Sequence, residues 1–494
     1  MKRVVVIIGV VTLSFVTVLP SATAAAPATT VATPTVEGPI TTGNGKIVVQ
    51  SSNFDLAPVG YEQAEHFISG TAHSYASAMP LTDDGKWSVT ENGSAPYKTR
   101  IVVYRPIDPK KFDGTVTLEW LNVSGGLDAG ANWTMDHLEQ IREGMVWVGV
   151  TAQQVGIVGG SNKLVASQAL HNADPVRYGS LSHPGDQFAY DIYSQAAQAV
   201  RKASATVLGG LRPKRLIAVG ESQSAFYLTS YANGLARDTK LFDGFLIHSR
   251  DGGGTMFDGT GANGHLAGSV HIRRDLGIPV LVLTTESDLV LLRYANARQP
   301  DSRHFRDWEI AGTSHYDTYS LSFGPKDDGT INRDAAFFQT MITTVSSPYP
   351  GIIDCAKPIN SGGQTYVARA AVTAMNRWVT DGTPPPRAPR LEMHGSSSFA
   401  LDRHGNAVGG IRTPQVDAPI ATLSGLGQSG SNFCFLFGTT APFDAPKLAS
   451  LYPSHAAFVK AWNAATETAV KAGFILPADA TNIKAAAAQS SIGN

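Results

Sequence analysis

Ser222 stands at the centre of Gly220-Glu221-Ser222-Gln223-Ser224, directly after the short strand-like run 215–220 and at the start of a helix-forming stretch, 224–232. A serine on a sharp strand-to-helix turn has its hydroxyl pushed outward, where it can attack a carbonyl carbon. The residues two positions to either side must be small, because strand and helix approach closely there. Gly220 meets this demand, and Ser224, followed by Ala225, stands where a second glycine is usual. A serine hydroxyl is a poor nucleophile near neutral pH and needs a base, most often histidine, oriented by a carboxylate. On sheets that carry this turn the chain order is serine, acid, histidine. The run 280–283 is followed by Thr284-Thr285-Glu286-Ser287-Asp288, which offers Asp288 as the acid and Glu286 as its competitor. The run 308–311 is followed by Gly312-Thr313-Ser314-His315, so His315 can swing over the serine. His304 precedes that run and falls at the wrong end. His248 closes the run 244–248 and reads as a polar residue capping a strand.

Acyl chemistry also needs donors aimed where negative charge develops. One is expected from the backbone N–H of Gln223, just after the serine. The second is expected from the loop Asn122-Val123-Ser124-Gly125-Gly126, through Val123 or Ser124, where the glycines permit close backbone approach. No GxxxxGK[ST], no GxGxxG after a strand and no HExxH occurs, so nothing in the sequence demands a cofactor or metal. Three N-x-[ST] matches, at Asn92, Asn122 and Asn132, read as chance.

These residues need a scaffold that delivers them to one end of a sheet. Strand-like runs at 116–122, 145–152, 215–220, 244–248, 280–283 and 308–311 alternate with helical stretches at 133–142, 186–203 and 224–232. Phe188, Ile192, Ala196 and Ala199 keep one helical face apolar. Alternation of this kind predicts an α/β fold with a mostly parallel sheet and helices on both faces. Residues 47–104 read instead as short antiparallel strands at one sheet edge. Two long excursions, 153–184 and 251–275, leave from carboxyl ends of strands, so both are expected to wall a pocket there. Beyond 345 a helix at 367–379, a hairpin at 403–411 and a last helix from Ser454 to Gly473 are expected, the last with Phe458 and Trp462 facing a core.

Composition narrows the function classes. The 494 residues carry a net charge of −1, with 43% hydrophobic and 16% charged residues. That is globular, and it lacks the basic surplus that nucleic acid or an anionic membrane surface demands. Lys2 and Arg3, an apolar run 4–19 and Ala22-Thr23-Ala24 make a secretory signal pattern, with cleavage expected after Ala24. The run is short for a membrane span. The Ala/Pro/Thr-rich 25–39 reads as a flexible leader. In an exported chain the two cysteines, Cys355 and Cys434, are expected to form one disulfide.

Several segments together resemble a known family. GESQSA at 220–225, VGVTAQ at 148–153, DPVRYGSL at 174–181, HPGDQFAYDI at 183–192, AGTSHYD at 311–317 and CFLFGTTAPF at 434–443 are similar to bacterial secreted proteins described as alpha/beta hydrolase domain-containing. The resemblance implies the α/β-hydrolase fold and a serine nucleophile at Ser222; it leaves the substrate open. Arg177, Tyr178, His183 and Asp186 fall in its shared segments and are expected to hold the first excursion in place rather than shape the pocket. The expected organisation is a signal segment 1–24, a leader 25–39, a hydrolase core 40–345 and a C-terminal extension 346–494 on or beside it. The expected activity is hydrolysis of a small-molecule carboxylic ester outside the cytoplasm. The same residues would also serve acyl transfer or lactone and amide cleavage, and a catalytically silent binding protein is the alternative of another class.

Overall fold

The computed structural model describes residues 1, 30–160, 167–260, 266 and 268–494. The signal pattern therefore lies outside the described residues apart from Met1, as does the start of the leader. Among the described residues nine strands form one sheet: β1 (Thr35–Glu37), β2 (Tyr61–Ala76), β3 (Thr90–Pro106), β4 (Thr115–Trp120), β5 (Val146–Val150), β6 (Arg215–Glu221), β7 (Gly244–His248), β8 (Val280–Thr285) and β9 (Phe305–Ile310). Their spatial order is β1-β2-β3-β5-β4-β6-β7-β8-β9. Pairs from β1 to β5 are antiparallel, and every pair from β5 onward to β9 is parallel.

Strand periodicity sends alternate side chains to opposite faces. Along β6, Leu216 and Ala218 join one core, while Ile217 and Val219 join the other. The first core also holds Tyr193 of α2 (Ala189–Lys202) and Tyr231 of α3 (Gln223–Gly234). The second holds Met135 of α1 (Ala131–Glu143) and Met375 of α4 (Gln364–Asp381). Parallel strands buried on both faces explain why 216–219 and 280–283 are continuously apolar rather than alternating. The segment beyond 345 supplies α4 to the layer over the parallel strands. It continues through α5 (His455–Ala472) and α6 (Pro477–Ala488). As expected, Ser454 caps α5, its Oγ accepting from Ala457 N at 3.2 Å, and Gly473 ends it at φ 82. Phe458 and Trp462 are buried.

Two local expectations change. Residues 47–104 hold not several short strands but one long hairpin, pairing Tyr61 with Pro106 at one end and Ala76 with Thr90 at the other. The outer part of β3, residues 90–94, is solvent-exposed, so it carries turn-like Asn92 and Gly93 without an apolar alternation. The expected hairpin at 403–411 is a tight turn, with Gly405 N donating to Asp402 O at 3.0 Å, closed by a single Leu401–Ala407 bridge.

The first excursion is fastened by buried charge. Arg100 donates to Glu65 at 2.9 Å and to Asp128 at 2.7 Å. Arg177 donates to the other Glu65 oxygen at 3.0 Å, and Tyr178 OH to Glu65 at 3.1 Å. A buried charge survives only when paired and hydrogen-bonded, so these residues hold the segment against β2 and β3. The second excursion is tied to α3: Thr255 N donates to Ser230 Oγ at 2.9 Å, and Ser230 Oγ to Thr255 O at 2.7 Å. Among the described residues no helix is long and apolar enough to cross a membrane.

Candidate active site

The turn from β6 into α3 places Ser222 at φ 57 and ψ −126. A non-glycine residue pays about 1–3 kcal/mol for such a conformation, so its surroundings must impose it. They do so from two sides. Ser222 N donates to His248 O at 3.0 Å, stitching the turn to the end of β7. A side chain at Gly220 would bring its Cβ to 2.9 Å from Leu228 Cδ1 and 3.1 Å from Ser224 C, so it would crowd the return of α3 onto β6.

Three side chains from three strand ends then meet. His315, in the loop after β9, has Nε2 at 2.8 Å from Ser222 Oγ and Nδ1 at 2.6 Å from Asp288 Oδ1. Burial pulls the imidazole's proton affinity down; Asp288, and with it Glu221, more than offset this, leaving the pKa above its ordinary value. Asp288 is itself immobilised. Its second oxygen accepts from Thr285 N at 2.7 Å and Thr285 Oγ1 at 2.8 Å, a capping box at the start of the short helix Glu286–Val290.

Glu286, the competing acid in the sequence, is not on His315. Its carboxylate accepts from Gly312 N at 2.6 Å and Gly425 N at 2.8 Å. Burial pushes it up to about 7, against those backbone donors. The reason is helical geometry: two residues apart in a helical turn are rotated by about 200°. Glu286 thus clasps the base of the histidine loop to the chain beyond β9, while Asp288 reaches the imidazole.

Sequence reading missed Glu221. The residue is 3% exposed, and its Oε1 lies 3.5 Å from His315 Nε2. Its Oε2 accepts from Asn122 Nδ2 at 3.3 Å. Burial pushes this carboxyl up to about 8, against the pull of His315. The available signal was its place inside the motif at the end of a buried strand. Of the expected backbone donors, Ser124 N is engaged by Asn122 Oδ1 at 2.8 Å. Gln223 N begins α3, where first-turn N–H groups have no intrahelical acceptor. His248 does not touch Ser222 Oγ or His315; its ring meets Asn132 Oδ1 at 3.2 Å and Gln364 Nε2 at 3.1 Å, and burial pulls it down to about 4. Among the described residues there is no group of His, Cys, Asp and Glu that could hold a metal ion.

A cleft of about 200 Å³ opens over Ser222 and His315. Its polar side is the 122–131 loop and Glu221; its apolar side is Tyr316, Leu321, Ile353, Phe433, Leu436 and Phe437. This corrects the expectation for the two excursions, since no described residue of 153–184 or 251–275 lines it. They act one layer behind. Gln153 Oε1 accepts from Gln223 Nε2 at 2.8 Å, and Gln153 Nε2 donates to Asp186 Oδ2 at 3.0 Å, which braces the elbow. His183 likewise fixes the excursion, its Nε2 lying 2.9 Å from Ala152 O.

The apolar wall joins two distant segments through the Cys355–Cys434 disulfide, which spans 79 residues. Both cysteines pack in one cluster with Leu321, Leu436 and Phe437. Cross-linking a loop of this length restricts the unfolded chain by up to about 4 kcal/mol. Replacing both cysteines with serine is expected to cost about 2–4 kcal/mol of stability, read as a fall in denaturation midpoint. An unchanged midpoint would show that the backbone pairing of these segments suffices.

The sequence profile of a family described as alpha/beta hydrolase domain matches residues 36–485. No curated protein matches the chain. Among solved structures the chain is similar to an α/β serine hydrolase without a lid from Xanthomonas campestris, at 15% identity over 44% of this chain and 80% of that one, with a TM-score of 0.28. It is similar to a thermostable esterase from Pseudomonas putida at 15% identity, covering 50% and 69%, with a TM-score of 0.27. A fungal esterase from Rhizomucor miehei matches at 13% identity, covering 49% and 74%, with a TM-score of 0.25.

Proposed function

The chain belongs to the alpha/beta hydrolase domain family, and on that premise we propose that it hydrolyses carboxylic esters by a serine acyl-enzyme route. The observation that carries this reading is the unbroken chain Ser222 Oγ–His315 Nε2, 2.8 Å, and His315 Nδ1–Asp288 Oδ1, 2.6 Å, built on a serine held at φ 57. Ser222 Oγ attacks the ester carbonyl while His315 Nε2 takes its proton. Asp288 steadies the imidazolium. The backbone N–H groups of Gln223 and Val123 hold the oxyanion, Ser124 N being occupied within its own loop. Collapse expels the alcohol, which receives the proton from His315. Water, deprotonated by His315, then adds to the acyl carbon; the bond to Ser222 Oγ breaks, Oγ takes the proton back from His315, and the acid is released.

The wall sets the kind of ester. Six apolar side chains line one side of the cleft, and among the described residues no Lys or Arg lines it. A buried carboxylate on the substrate would lack a partner, so the proposed substrate is uncharged with a small apolar group against Phe433 and Phe437. Each buried methylene contributes about 0.8 kcal/mol. p-Nitrophenyl butyrate is therefore expected to exceed the acetate in kcat/KM by roughly tenfold, and the anionic p-nitrophenyl hemisuccinate is expected to be the poorest of the three. Preference for the hemisuccinate would overturn the substrate class; no turnover of any of them, without fluorophosphonate labelling of Ser222, would overturn the reaction class.

We propose further that residues 346–494 serve as an extension that builds this wall on a core at 40–345. Export is proposed from the N-terminal pattern, and the disulfide supports it, since such bonds persist in oxidising compartments.

A further inference from the structure

Glu221 is a fourth polar group at the reacting centre, and the proposed ester chemistry gives it no task. It is buried, its Oε1 has no hydrogen-bond partner, and that atom lies 3.5 Å from the same imidazole nitrogen that faces Ser222 Oγ. Asn122 fixes its other oxygen, and Asn122 also donates to the Glu221 carbonyl at 3.1 Å, so the side chain cannot swing out to solvent without breaking the loop that borders the cleft. A buried carboxyl oxygen left without a donor is costly, and the nearest group able to supply a proton is His315.

We propose that Glu221 is a positioning residue for His315: it shares the proton that His315 Nε2 takes from Ser222 and holds the resulting imidazolium on the nucleophile side, opposite Asp288. The inference rests on the Ser222–His315 reading above. His315 has a carboxyl at each nitrogen, Asp288 at Nδ1 and Glu221 at Nε2. The other ionisable groups near this pair are Glu119, which acts on Glu221, His248, which acts on His315 from the end of β7, and Tyr316 beside the cleft. Glu119 is occupied elsewhere, accepting from Asn132 N at 2.9 Å and Trp147 Nε1 at 2.7 Å. Burial pushes Glu221 up to about 8 while the charge on His315 pulls it back, so an imidazolium at His315 favours the ionised Glu221 carboxylate and that carboxylate in turn favours the imidazolium. No atom is gained or lost: one proton moves from Ser222 Oγ to Nε2 and then to the leaving alcohol, and Glu221 changes only how strongly Nε2 attracts it.

The sign of the pH effect follows. Glu221 raises the proton affinity of His315. His315 acts as a base only when unprotonated. Removing the carboxyl makes His315 a weaker base, so the acidic limb of kcat/KM moves to lower pH. Two groups exchanging protons titrate in two coupled steps, whereas one group titrates in one.

The test is Glu221→Gln, with pH profiles of p-nitrophenyl butyrate hydrolysis and fluorophosphonate labelling of Ser222 in both proteins. The expected result is a broad acidic limb in the wild type, a single-ionisation limb at lower pH in the variant, and a plateau kcat lower by about tenfold with little change in KM. Superimposable profiles, with Ser222 labelled in both proteins, overturn the role of Glu221 alone. Failure to label the wild type overturns the ester reading instead. Should E221Q not fold, nitrogen-15 histidine NMR of the wild type decides: two coupled steps at His315 support the proposal, and a single independent step overturns it.

Discussion

Ser222→Ala is expected to lower kcat/KM for p-nitrophenyl butyrate by roughly 10⁴-fold or more, about 5 kcal/mol of transition-state stabilisation. The size follows from the route. Without Oγ there is no acyl-enzyme, and His315 is left with no proton to take. Residual turnover above the rate in water should persist, because backbone donors at Gln223 and Val123 and the apolar wall remain. The fold should survive. The hydroxyl contributes only its contact with His315 Nε2, while Ser222 N keeps its bond to His248 O at 3.0 Å. Circular dichroism and the thermal midpoint should therefore match the wild type, and fluorophosphonate labelling should vanish. Full turnover in a folded S222A protein would remove the serine from the reaction altogether.

Asp288→Asn and Glu286→Gln form the second test, and the contrast between them matters more than either value. Asp288 lies 2.6 Å from His315 Nδ1. An amide there would favour the wrong imidazole tautomer and leave the imidazolium unsupported, with an expected loss of roughly 10⁴-fold in kcat. Glu286 touches no reacting group. It accepts from Gly312 N and Gly425 N, at 2.6 and 2.8 Å. Its amide would turn one acceptor into a donor facing an N–H, so E286Q should lose about 1–3 kcal/mol of stability and less than about tenfold in kcat measured well below its midpoint. Kinetics and thermal unfolding on both proteins separate the two roles. Greater kinetic damage in E286Q than in D288N would reverse the assignment of the acid.

The parallel part of the sheet was legible because its strands are buried on both faces. Runs such as 216–219 and 280–283 carry apolar residues at every position, and the helices between them carry one apolar stripe. The β2–β3 hairpin was harder to read because its outer end stands in water, where Gly93 and Pro96 look like turn residues although they pair across strands, and Asn92 sits at a register shift between them and the strand end. At the site, Ser222, His315 and Asp288 could be read by their positions after strands, since parallel strands deliver their carboxyl ends to one edge. Glu286 competed with Asp288 because spacing along the chain does not say where a helical turn begins. One turn after β8 points the two carboxylates apart, and Thr285 fixes which one faces the histidine.

Order along the chain and local small-residue demands were enough to single out Ser222, His315 and a pair of carboxylates as candidates. These depend on near neighbours: a strand before, a helix after, a glycine where α3 folds back onto β6. The cleft depends on distant ones. Ile353 and Phe433 are brought together by pairing between segments and by a disulfide that closes 79 residues, and neither segment has a periodicity that announces it. The first excursion, which looked like a wall, is a brace, because buried ion pairs and the Gln153–Gln223 bond draw it behind the elbow. Glu221 belongs to the same class. Its residue type was plain in the motif, but its reach to His315 Nε2 exists only once β6 and the loop after β9 are set side by side. Proton affinities and substrate walls arise from groups far apart in sequence, so the tertiary fold alone could place them.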